Sequence, residues 1–150
     1  MVTANDIKFA KNTLADFLIF GNNYFNEHIS DNKHNYALVD IHNNTVGNTI
    51  DIVFIDKDIE DENAFNVVSL QYSSDEVKSF VNDLHKYEKI KSEIDDLVNN
   101  YFTNSMMYDT LGYAGWGFDE TENDFVLITV YDWSSDEIKS VQVKLQDLNH

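Results

Sequence analysis

Cysteine, proline and arginine are all absent from this chain, and each absence closes a class of explanation. Without cysteine there is no disulfide framework and no thiolate chemistry. Without arginine there is no planar fork for bidentate capture of phosphate or carboxylate. With no proline and only five glycines there is no breaker-rich linker, so residues 1–150 read as a single compact domain. No apolar run approaches the roughly 18 to 20 residues that span a bilayer. The opening Met1–Asp6 lacks the basic and apolar stretches of a signal peptide, so the expected location is the cytosol.

Charge is what the chain has in excess. Twenty-seven acidic residues face ten basic ones, all lysine, for a net charge of −17. Such a surface repels polyanions across a Debye length of roughly 8 Å at physiological salt. Direct nucleic-acid binding and docking to an anionic membrane are therefore not expected, whereas a basic partner is attracted. The apolar and aromatic content is ordinary for a globular protein, enough to bury a core despite the charge.

The chain repeats itself. Asn5-Asp6-Ile7 recurs as Asn82-Asp83-Leu84, an offset of 77, and Asn22-Asn23-Tyr24-Phe25 recurs at the same offset as Asn99-Asn100-Tyr101-Phe102. Further on, Ile50–Asp56 lies over Val126–Asp132, Asp61-Glu62 over Asp136-Glu137, and Val68–Gln71 over Val143–Gln146. In this alignment Trp116 falls on Asp40 and Trp133 on Lys57. Order and spacing agree throughout, which points to a tandem duplication with repeats at 1–72 and 73–150.

Each repeat has the same pattern. Thr3 with Asp6, and Ser73 with Glu76, are capping boxes that open helices. Apolar residues at helical spacing follow, from Ile7 to Phe25 in one copy and from Val77 to Phe102 in the other. Phe17–Phe20 is apolar on all sides, which marks it as doubly buried or as a homodimer contact. Three strand-like runs come next: 36–41, 49–55 and 65–71, then 111–118, 124–132 and 139–145. Short connections favour antiparallel meanders. The expected fold class is α+β: a tandem αβββ duplication, antiparallel sheets with helices packed on them, related by a pseudo-two-fold.

Motifs for catalysis or metal binding do not complete themselves. The acidic run from Asp56 lacks the glycine and the terminal glutamate of a calcium loop, having Asp61 and Val67 there. The run from Asp119 fails similarly, with Val130 in the last position. Asp40 and His42 share a strand face, but no third ligand stands at zinc-like spacing. There is no Gly-x-Ser-x-Gly, and the glycines of 111–118 lack the lysine of a phosphate loop. The reading is therefore of a protein that is not an enzyme and needs no cofactor or metal.

The acids cluster at matching places. Asp58, Glu60, Asp61 and Glu62 occupy the second connection of the first meander, and Asp132, Asp136 and Glu137 occupy its counterpart. Asp119, Glu120, Glu122 and Asp124 sit at the far end of the second meander. With Trp116 as an aromatic anchor, these are the candidate partner-binding residues. Carboxylates spread over tens of ångströms imitate duplex phosphates, spaced at one charge per roughly 1.7 Å of axis. In size, acidity, lack of cysteine and lack of enzyme motifs, the chain resembles the acidic DNA-mimic inhibitors of phages and plasmids, of anti-CRISPR or anti-restriction type. That resemblance implies a basic protein surface as partner, on a nucleic-acid-handling enzyme in the bacterial host cytosol. The alternative is an immunity or antitoxin-type protein that neutralises a basic toxin.

Overall fold

The computed structural model describes residues 1–61, 64–106 and 110–150. The chain is α+β, with two three-stranded antiparallel sheets. Helix α1 (Ala4–Tyr24) runs into a π-helical turn (Phe25–Ile29), followed by strands β1 (Tyr36–Asn44), β2 (Thr49–Asp56) and β3 (Asn66–Gln71). Helix α2 (Val81–Tyr101), a second π-helical turn (Phe102–Met106), β4 (Leu111–Phe118), β5 (Phe125–Asp132) and β6 (Glu137–Lys144) repeat that order. A short helix α3 (Leu145–Leu148) ends it.

The two series match in detail. Both helices have 21 residues and both π-helical turns have five, at the offset of 77 seen in the sequence. Each sheet has its first-numbered strand pairing the second, and the second pairing the third. The first strand of each carries an irregularity at the same place, between Leu38 and Asp40 and between Tyr113 and Gly115. These bulges leave one residue unpaired and bend the strand.

By proximity the chain divides into two compact units: Leu14–Leu84, and Met1–Thr13 together with His85–His150. The cuts fall inside α1 and near the start of α2, not between the repeats at 72/73. In the unit of Leu14–Leu84, Phe17, Ile50, Ile52, Val77 and Leu84 form the centre of the core. Alternation in β2 sends Ile50, Ile52 and Phe54 to that core. Ile41 closes against Gly21, where an added Cβ would overlap three Ile41 carbons, so only glycine lets the strand approach. In the other unit, Ile7, Ala10, Ile94, Val98, Val126, Ile128 and Val130 are essentially inaccessible. Each of the isoleucine and valine side chains among them contributes about 1.5–3 kcal/mol by burial. Asn149 fastens Val2 there, accepting from its N–H at 3.1 Å and donating to its carbonyl at 2.8 Å.

Thr3 and Asp6 cap α1 reciprocally: Thr3 N–H donates to the Asp6 carboxylate at 3.0 Å, and Asp6 N–H donates to Thr3 Oγ1 at 3.2 Å. The second expected box is not used this way. Residues 72–80 form successive turns and α2 begins at Val81. Ser74, not Ser73, organises them, its carbonyl accepting from Val77 and Lys78 N–H.

Three other expectations change. Cross-strand register puts Trp116 opposite Ile128 and Ile41 opposite Ile52, so Trp116 corresponds to Ile41, and Gly115 to Asp40. Val68 likewise corresponds to Val141 rather than Val143, because the connection 57–65 is longer than 133–136. Phe17–Phe20 is not uniformly apolar in role: Phe17 is buried and Phe20 packs edge-on to Phe80 at 5.0 Å. Leu18 and Ile19 are exposed. Trp133 does match Lys57, since both backbone N–H groups bond to the residue before the first strand, Thr110 and Asn35.

Candidate functional site

The candidate acids fall into two groups with opposite roles. Asp119 and Asp132 are buried, and their oxygens are occupied within the fold. Asp119 Oδ1 accepts from the N–H of Thr121 and of Glu122, both at 3.0 Å, while Oδ2 accepts from the Gln142 amide at 2.7 Å. These bonds, led by the Thr121 N–H and the Gln142 amide, hold its pKa down at about 2. Asp132 accepts from Ser134 Oγ at 2.6 Å, from Ser134 N–H at 3.0 Å and from Lys139 Nζ at 2.9 Å. The serine hydroxyl first and the lysine second push its carboxyl well below the usual range. Both are turn-closing side chains, with counterparts in Asn44, which accepts from Gly47 N–H, and Asp56, which accepts from Asp58 N–H.

The second group is exposed. Asp58, Glu60 and Asp61 lie on the connection after β2. Glu120, Glu122 and Asp124 precede β5, and Asp136 and Glu137 follow it. Glu62 lies outside the described residues. The eight residues of β5 separate the last two sets by roughly 26 Å at about 3.3 Å each. Lys11 reaches the nearer set through neutral groups, donating to Glu122 O at 3.1 Å and Asn123 Oδ1 at 3.0 Å.

Trp116 is not an exposed anchor. It is half-buried on the helix-facing side, where its indole N–H donates to the Asp95 carboxylate of α2 and its ring meets Phe118 edge-on at 5.2 Å. Trp133 is the exposed tryptophan, at 67 % accessibility. It crosses Tyr131 with ring centres 4.5 Å apart and covers Gly112.

Trp133 belongs to a surface that sequence patterning did not single out. The outward positions of the second sheet are Gly112, Gly115 and Gly117 on β4, then Phe125, Leu127, Thr129 and Tyr131 on β5, with Ile138, Ser140, Gln142 and Lys144 on β6. None is acidic. A Cβ at Gly115 or Gly117 would meet nothing within 4 Å, so β4 is bare at these two positions, whereas Gly112 lies under Trp133. The corresponding face of the first sheet is different. It carries Asp40, His42 and Asp51, with Asp51 held by Thr49 Oγ1 at 2.8 Å. Asp40 and His42 do share that face, and among the described residues no group of three or more potential ligands could hold a metal ion. Nor is any helix among them long and apolar enough to cross a membrane.

Beside the first sheet, Val39, Ile55, Ile59 and Phe65, together with Asp56, Lys57, Glu60 and Asp61, line an open cavity of about 610 Å³. No family model matches the chain, and no curated protein or solved structure is detectably similar to it.

Proposed function

We propose that this protein is an acidic binding protein that inhibits a nucleic-acid-handling enzyme by occupying its basic surface, in the manner of anti-CRISPR or anti-restriction proteins. The observation that carries the reading is the pair of exposed acidic turns at the two ends of β5, set in a chain of net charge −17 without arginine. Glu120, Glu122 and Asp124 at one end, and Asp136 and Glu137 at the other, span a distance over which a duplex presents about fifteen phosphates. Lysines and arginines that grip a nucleic acid would meet carboxylates at comparable reach. Electrostatic steering would make association fast and strongly salt-dependent.

Retention of partners from nuclease-treated bacterial lysate, at low and high salt, tests the proposal. The expected catch is a DNA- or RNA-binding enzyme that elutes with salt and is lost with a Glu120→Gln, Glu122→Gln, Asp124→Asn triple variant. A partner without a basic surface, or one indifferent to both salt and variant, would refute it. A single small basic toxin as the partner would instead identify an immunity protein.

A further inference from the structure

The exposed tryptophan stands at one of the two acidic turns, where an aromatic ring and a carboxylate meet. We infer that Trp133 anchors an arginine side chain of the partner, taken against its indole with Asp136 as the counter-charge. This rests on the proposed reading in that the partner is basic, and adds to it the residue and the cation that make contact.

The indole is held in place and left open. Trp133 continues the outward row of β5 beyond Thr129 and Tyr131, and its backbone N–H bonds to Thr110 O at 2.7 Å. Its ring lies over Gly112, with three ring atoms 3.3–3.5 Å from where a Cβ would stand, and Tyr131 crosses it edge-on. Glycine beneath and tyrosine beside orient the ring, yet the residue remains 67 % exposed. The fold does not require an aromatic here. Lys57 fills the matching place in the first sheet, its N–H making the same bond to Asn35 O at 2.9 Å. An oriented, exposed tryptophan is the kind of side chain that dominates protein contacts.

The surrounding charge selects a cation. Trp133 and Asp136 are the first and last residues of the connection between β5 and β6, about one strand spacing of 4.8 Å apart. Asp136 is exposed. The two lysines of β6 stand elsewhere: Lys139 pairs with buried Val130 on the helix-facing side, where its Nζ meets Asp132 at 2.9 Å. Lys144 pairs with Phe125, roughly 26 Å away at the other end of β5. A chain of net charge −17 repels ligands that carry phosphate. A guanidinium, in contrast, stacks its plane on an indole while its edge bonds a carboxylate. The chain has no arginine of its own to fill the place. A lysine ammonium, compact and strongly hydrated, gains less from the ring.

Magnetic-resonance titration of the full chain with hexa-arginine and with hexa-lysine, at about 0.15 M salt, tests this. The chain has two tryptophans, so one spectrum compares the indole N–H of Trp133 with that of half-buried Trp116. Expected is a saturable shift of Trp133 and of the Asp136 amide with hexa-arginine, none at Trp116, and weaker binding of hexa-lysine. Trp133→Leu should weaken hexa-arginine binding about threefold, whereas Trp133→Phe keeps a ring and should lose less. Circular dichroism should stay native for both. A silent Trp133 overturns the inference, as does equal affinity for the two peptides, full affinity in Trp133→Leu, or no binding at all. A Trp133 signal that moves with protein concentration alone also overturns it, by making a second copy the occupant. Shifts confined to Glu120, Glu122 and Asp124 would sink the arginine site and leave capture of a basic enzyme, which is read from salt elution, standing.

Discussion

The same position in the two helix–sheet series is filled in opposite ways. Ile41 in β1 lies against the bare backbone of Gly21 in α1, whereas Trp116 in β4 turns its indole N–H to Asp95 of α2. At the offset of 77, Gly21 corresponds to Val98, which is fully buried. One copy therefore closes by bringing the strand tight to a helix glycine. The other keeps a branched residue on the helix and fills the strand position with a half-buried aromatic that needs a hydrogen-bond partner. The lesson is that a repeated backbone does not preserve side-chain solutions. Helix length, turn type and bulge recur, while packing partners are renegotiated.

That contrast can be broken experimentally, beginning with the core positions the copies share. Ile52→Ala and Ile128→Ala, each at a fully inaccessible site, should each destabilise by about 3–4 kcal/mol in urea titrations. A loss below about 1 kcal/mol at either site would mean that copy's core is loosely packed. Next, Val98→Gly imitates the first copy in the second and should cost about 3 kcal/mol, through the lost side chain and the flexible helix residue. The reverse change, Gly21→Ala, should cost about 2 kcal/mol despite alanine's better helix propensity, because its methyl overlaps Ile41. Adding Ile41→Val should recover part of that loss if the clash is the cause.

The turn carboxylates sharpen the comparison further. Asp132→Asn should lower the unfolding midpoint clearly, since it disturbs bonds to Ser134 and Lys139. Asp56→Asn, which weakens one turn bond, should stay within roughly 0.5 kcal/mol. The pH dependence has a definite sign. The folded pKa values of Asp119 and Asp132 lie below those of the unfolded chain, so the unfolded state binds protons first as pH falls. Their stabilisation is present above about pH 4 and is lost toward pH 2, where Asp119 titrates. Repulsion among the other carboxylates is relieved over the same acid range, so the diagnostic is the difference between wild type and Asp119→Asn. The variant should lose less stability on acidification. A small effect of the opposite sign belongs to Asp136, which holds a left-handed φ of 54°. Asp136→Gly should change stability by less than about 1 kcal/mol, in the favourable direction.

Much of the fold could be read from particular residues. Asn-Asn-Tyr-Phe located the ends of both helices, and the β-branched alternation of β2 and β5 located the central strands. Register was harder. The β4–β5 hairpin holds one residue more between matched cross-strand pairs than the β1–β2 hairpin, which is why Trp116 aligned with Asp40 instead of Ile41, and the longer connection 57–65 displaced the third strands. The division of the acids was missed although a signal existed. Asp119-x-Thr121 and Asp132-x-Ser134 have the spacing of a side chain that closes its own turn, and such carboxylates are spent internally. The glycine-bare face was hidden because its outward residues come from three strands, and only their pairing brings them together.

The placement of the compact units carries a consequence for taking the protein apart. Ile7 and Ala10 are fully buried, yet they belong with residues 85–150, not with the strands that follow them in sequence. A fragment cut after residue 72 would hold a complete repeat and an incomplete fold, with the first turns of its helix stripped of the surroundings that enclose them. A chain with one copy of the motif could recover those surroundings only from another chain, each lending its helix start to the other. The boundary between the repeats and the boundaries of the compact units therefore do not coincide.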